Sequence, residues 1–100
     1  MNIHFEYDDV KASARLEEMV TKKLEKLEDK YDFIVRADVF FKKENTSSTN
    51  SGLICSIRLS APGPRLFSES NNAKFEMSIA ASIEDLERQL EKRKGKMKTH

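Results

Sequence analysis

The stretch Phe33–Ser60, "FIVRADVFFKKENTSSTNSGLICSIRLS", decides the fold, because it sets two apolar alternations on either side of a polar run. In its first part Phe33, Val35, Ala37, Val39 and Phe41 fall at every second position, the period of a strand with one buried face. These residues are largely β-branched or aromatic, as strands favour. In its last part Leu53, Cys55, Ile57 and Leu59 do the same against Ile54, Ser56, Arg58 and Ser60. The run between them, "ENTSSTNSG" at 44–52, has nothing apolar to bury and offers many local side-chain hydrogen bonds. It predicts a long hairpin loop, and so two neighbouring antiparallel strands. The opposite face of the pair would carry Arg36, Asp38, Lys42, Ser56, Arg58 and Ser60, with Ile34, Phe40 and Ile54 among them.

Working outward, Ile3, Phe5 and Tyr7 alternate as a short first strand, and Asp8 and Asp9 mark a turn. Ser13 is a candidate N-cap for a helix over 14–30, in which Leu16, Val20, Leu24 and Leu27 recur at helical spacing. On the other side, "APGP" at 61–64 ends the third strand and "RLFSES" at 65–70 is a short fourth, followed by Asn71 and Asn72. Phe75, Ile79, Ile83, Leu86 and Leu90 then predict a second amphipathic helix over 73–94. The order β-α-β-β-β-α gives an α+β domain: a four-stranded, largely antiparallel sheet with both helices on one face and the other face open.

The chain of 100 residues is a single domain, 38% hydrophobic and 35% charged, with no apolar run that would serve as a transmembrane or signal segment. That composition predicts a cytoplasmic protein. Cys55 is the only cysteine, and its place in an apolar alternation predicts a buried, unreactive thiol. His4 and His100 stand at opposite ends of the chain, so no metal or other cofactor is expected. The adjacent carboxylate pairs Asp8–Asp9, Glu17–Glu18 and Glu84–Asp85 point apart rather than converge, and no nucleophile or phosphate-loop motif is present. The chain reads as a binding protein, with neither catalytic residues nor a small-molecule substrate.

Charge is sorted along the chain although the net value is only +1. Near the N-terminus Glu6, Asp8, Asp9, Glu17 and Glu18 outnumber Lys11 and Arg15. Near the C-terminus Arg88, Lys92, Arg93, Lys94, Lys96 and Lys98 face only Glu87 and Glu91. At about 100° per residue, Lys23, Lys26 and Lys30 share one flank of the first helix, with Lys22 further out, while Arg88, Lys92 and Lys96 share a stripe of the second. Arg93 falls near the buried stripe, where its stem would lie along apolar surface. Cations in the last turns of a helix favour its macrodipole, and Glu25, Glu28 and Asp29 are interleaved among the first set. The run Lys92–Lys98 has no acidic residue and exceeds what a helix end needs, which points to a polyanion.

Three blocks carry a resemblance: "VTKKLEKLEDKYDFIVRADVFF" (20–41), "ICSIRLSAPGPRLFSES" (54–70) and "FEMSIAASIEDLERQLEKRKGK" (75–96). Together they are similar to the ribosome hibernation promoting factor family, also called ribosome-associated inhibitor or sigma-54 modulation proteins. The more specific parts are Lys22–Leu27, the Pro62-Gly63 turn and Leu86–Leu90 followed by lysines. The resemblance implies a domain laid out like a double-stranded-RNA-binding module. It implies a partner, the small ribosomal subunit, bound through rRNA in the mRNA and tRNA channel, and a role in translation inhibition in stressed or stationary-phase bacteria. Carried over by position, the rRNA-binding residues are Lys22, Lys23, Lys26, Lys30, Arg88, Lys92, Arg93, Lys94 and Lys96. The chain looks like a short form, a monomer off the ribosome.

Ser78-Ile79-Ala80 departs from the family's frequent A-I-D pattern, and Gly95 interrupts the basic end of the helix, so residues 95–100 are expected to form a flexible tail. The alternative reading is a protein-interaction module that docks an acidic regulatory partner. A generic double-stranded-RNA binder is a third, although that module lacks the first strand.

Overall fold

In the computed structural model, which describes residues 1–97, the alternation of Ile3, Phe5 and Tyr7 forms strand β1 (Asn2–Asp8). Asp9 turns the chain at φ 59°, a left-handed conformation that a short polar side chain tolerates. Ser13 then caps α1 (Ala14–Lys30), its hydroxyl accepting from the Leu16 N–H at 3.3 Å. Tyr7 and Glu17 share a short hydrogen bond that pins the start of this helix to β1. After α1 come β2 (Arg36–Lys43), β3 (Leu53–Ser60), β4 (Leu66–Asn72) and α2 (Phe75–Met97).

The sheet order is β1-β2-β3-β4. β2 lies parallel to β1, as a crossover through α1 requires, and β3 and β4 follow antiparallel. The buried stripes of both helices and the inward residues of the sheet form one core cluster, so the helices share a face as expected. At its centre Phe41 is fully buried, with ring centroids of Tyr7 and Phe75 each at 5.4 Å. α2 is docked by two buried serines: Ser78 donates to the Leu53 carbonyl at 2.5 Å and Ser82 to that of Cys55 at 2.8 Å. Cys55 is fully buried, and burial pushes its thiol up to about 12, as an inert core cysteine requires.

Two expectations for Phe33–Val35 are corrected. The period-two face holds for Ala37, Val39 and Phe41, but Val35 is 63% exposed and Ile34, placed on the open face, is buried in the core. The Ile34 N–H bonds back to the Tyr31 carbonyl at 3.3 Å, so the chain is still turning off the helix there and strand parity begins only at Arg36. Helix α2 runs through Gly95 to Met97. The first part of the expected flexible tail is therefore helical here, and 98–100, including Lys98, lie outside the described residues.

Candidate nucleic-acid interface

Two ion pairs fix how the helices lie. Near their starts Arg15 meets Glu76 at 2.8 Å, and nearer their ends Lys30 meets Glu87 at 2.7 Å, so α1 and α2 run side by side in the same direction. Parallel packing brings both basic C-terminal halves to one pole of the molecule. The same pole holds the start of β2 and the β3–β4 turn, while Asp8, Asp9 and the acidic first turns of the helices lie at the other. The charge sorted along the chain is thus sorted in space.

Between the helices, Lys23, Lys26, Leu27 and Lys30 from α1 and Ile83 and Glu87 from α2 line a shallow groove of ≈ 260 Å³. Lys94 closes its basic end. Its ammonium lies 3.5 Å from the Lys30 carbonyl, at the end of α1, and 5.6 Å from the Tyr31 ring centroid, which Lys30 approaches to 5.7 Å from its own side. Lys30 is the one groove lysine already paired, and the Glu87 hydrogen bond raises its pKa. Lys23 and Lys26 have no ion pair among the described residues.

The other basic residues do not join this groove. Lys92 sits about 160° round the helix from Lys94, on the stripe it shares with Arg88 and Lys96. Arg88 is held by Glu84 at 3.4 Å and Asp85 at 3.2 Å, whereas Lys92 and Lys96 have no partner among the described residues. Asp85 is kept below the usual carboxylate range, first by a hydrogen bond from Ser68 and then by Gln89 and Arg88. Lys22 stands outward on α1 beside Glu18 at 3.2 Å. The nine candidates therefore divide into a groove set, an outer stripe on α2, Lys22, and Arg93.

Arg93 is half-buried at the edge of the α2 stripe. Its guanidinium reaches across to the β3–β4 turn and donates to the carbonyls of Pro62 at 2.6 Å and Pro64 at 2.8 Å. Gly63 between them has φ +95°, a conformation that favours glycine, and a Cβ there would stand 3.0 Å from Arg93 Nη1. Arg93 thus fastens the end of α2 to the turn. A signal for this existed in "APGP", a turn outside both strands whose carbonyls have no ladder partners, but nothing in the sequence said which cation would take them.

The open sheet face is charge-balanced. Arg36 holds the buried carboxylate of Asp38 through Nε at 3.0 Å and Nη2 at 2.9 Å, which keeps Asp38 below the usual carboxylate range. Ser56 donates to Glu69 at 2.7 Å. Ala80 is exposed on α2. Among the described residues no cluster of His, Cys, Asp and Glu could hold a metal, and no helix is long and apolar enough to cross a membrane.

Residues 3–98 match the model of the family described as sigma 54 modulation protein / S30EA ribosomal protein. Among solved structures, a ribosomal subunit interface protein from Coxiella burnetii superposes with a TM-score of 0.80 at 22% identity, covering 95% of this chain and 99% of that one. The N-terminal domain of Protein Y from Thermus thermophilus superposes with a TM-score of 0.75 at 22% identity, covering 92% of this chain and 98% of that one. No curated protein sequence matches significantly.

Proposed function

The chain belongs to the sigma 54 modulation protein / S30EA ribosomal protein family, and from that premise we propose that it is a cytoplasmic ribosome hibernation factor that binds the small ribosomal subunit. The basic pole would lie against rRNA in the channel that mRNA and tRNA use, and translation would stop because the channel is filled. The family match over 3–98 carries this reading. The parallel helices support it by setting Lys23, Lys26 and Lys94, three cations without ion pairs among the described residues, around one groove, where low-dielectric walls focus their field. Lys92 and Lys96 would extend the contact along the outer stripe of α2. The protein acts here by occupancy and needs no catalytic group.

Sedimentation with purified small subunits tests this. The chain should co-sediment, should be displaced by mRNA with tRNA, and should lose affinity steeply as salt rises, because each neutralised phosphate releases counterions. Binding that ignores both competitors and depends weakly on salt would instead favour docking onto an acidic protein partner.

A further inference from the structure

Phe67 leaves half of its surface, 51%, in water on the open face of the sheet. Arg58 stands opposite it in the β3–β4 register, with its guanidinium 5.6 Å over the Phe40 ring. Since Arg36 satisfies Asp38, Arg58 Nη2 stays 3.8 Å from that carboxylate, and Arg58 Nε is buried with no acceptor. The result is an exposed aromatic ring beside a planar cation that rests on a second ring and is short of hydrogen-bond acceptors. Strand-by-strand reading finds no aromatic pair here, because Phe40 and Phe67 are brought to either side of Arg58 only by the register.

The charges around this platform are sorted as well. Arg36, Arg58 and Arg65 lie toward the end of the sheet where β2 begins, against Asp38 alone, whereas Glu6, Asp8 and Glu69 with Lys42 lie toward the other end. We propose that Phe67 and Arg58 form a stacking site for one unpaired base of a single-stranded RNA, with the flanking phosphates toward Arg36 and Arg65. A base offers both a π face for Phe67 and acceptor edges for the Arg58 Nη groups, which few other ligands combine. An acidic peptide would offer carboxylates to the arginines but no base to stack on Phe67. This site lies on the face opposite the helices, and it rests on the ribosome reading only for the source of the strand.

The chain contains no tryptophan, so Phe67→Trp places a single reporter on the platform. Its emission should be quenched by a short single-stranded oligoribonucleotide, and not by the same strand annealed to its complement or by heparin, which occupy the lysines without offering a base. In the otherwise native chain, Phe67→Leu should weaken binding of the single strand by about tenfold, as loss of one base stack does. The salt slope and melting temperature should stay where they were. Unchanged emission at saturating strand, equal quenching by heparin or duplex, native affinity in Phe67→Leu, or no binding of the strand at all would overturn the proposal. Small-subunit sedimentation is read separately, so quenching without subunit binding would keep the platform and remove the ribosome reading.

Discussion

The Lys30 ammonium lies 2.7 Å from the Glu87 carboxylate, and this pair joins the two helices across the groove that the free lysines line. Glu87 is also the one acidic side chain lining that groove. It links the two helices at their surface and at the same time cancels a cation at the proposed contact. Glu87→Gln should therefore tighten small-subunit binding several-fold at low salt and steepen its salt dependence, while the melting temperature moves little because the pair is exposed. Native or weaker affinity in this variant would show that the groove does not face phosphate.

Arg93 and its neighbours should separate by readout. Arg93→Gln removes the charged donor from the exposed Pro62 and Pro64 carbonyls and loosens the end of α2, so it should lower stability by about 0.5–1.5 kcal/mol. Gly63→Ala should do the same through its φ of +95° and the approach of Arg93. In both variants thermal melting should move, and the salt slope of binding should not. A changed slope with native melting in Arg93→Gln would show that Arg93 contacts rRNA rather than only fastening the helix end.

Acid should expose the role of Asp38. Its hydrogen bonds from Arg36 hold its pKa down, and a carboxylate so depressed adds stability that is present above its unfolded pKa of about 3.9 and lost as pH falls through the folded value. Asp38→Asn should therefore cost about 2 kcal/mol at neutral pH. The gap to the native chain should close below about pH 4. Denaturant titrations at a series of pH values would show this, and a gap independent of pH would mean that packing, not charge, sets the effect.

How much of this was legible in the sequence depends on whether periodicity or long-range geometry fixed it. Ala37, Val39 and Phe41, with Cys55, Ile57 and Leu59, announced the sheet because one buried face imposes period two. Val35 obeyed the same period and is exposed, since the turn after Tyr31 had not yet closed and no local rule marks that residue. The basic content of both helices was visible, and so was the grouping of Lys23, Lys26 and Lys30. That Lys94 would join them while Lys92 and Lys96 faced elsewhere required knowing which flank of α2 meets α1. Arg93 shows the same limit, since its partners are carbonyls of a turn about thirty residues earlier in the chain.

Gly95 offers a test of the basic helix end itself. A Cβ there would meet nothing within 4 Å, so Gly95→Ala adds helix propensity of about 1 kcal/mol without a clash. Hydrogen exchange should slow over the last turn of α2, with a small rise in overall stability. If the outer stripe binds as a helix, subunit affinity should rise modestly. A fall would mean that the end must unwind to bind.

The two basic sets can finally be weighed against each other. In the groove set, Lys23, Lys26 and Lys94 to Gln, the removed cations converge on one concavity and none of them has an ion pair among the described residues. In the outer set, Arg88, Lys92 and Lys96 to Gln, one charge is already balanced by Glu84 and Asp85 and the stripe is convex. Focusing favours the concave set, so the groove triple should lose more small-subunit affinity and more salt slope, with up to about one phosphate per lysine removed. Lys94→Gln also withdraws a cation from the end of α1, and a small drop in melting temperature is expected from that triple alone. Single Lys23→Gln and Lys26→Gln variants control for it, since neither touches the helix end. A larger loss from the outer triple would place the rRNA along the outer stripe of α2 instead of between the helices.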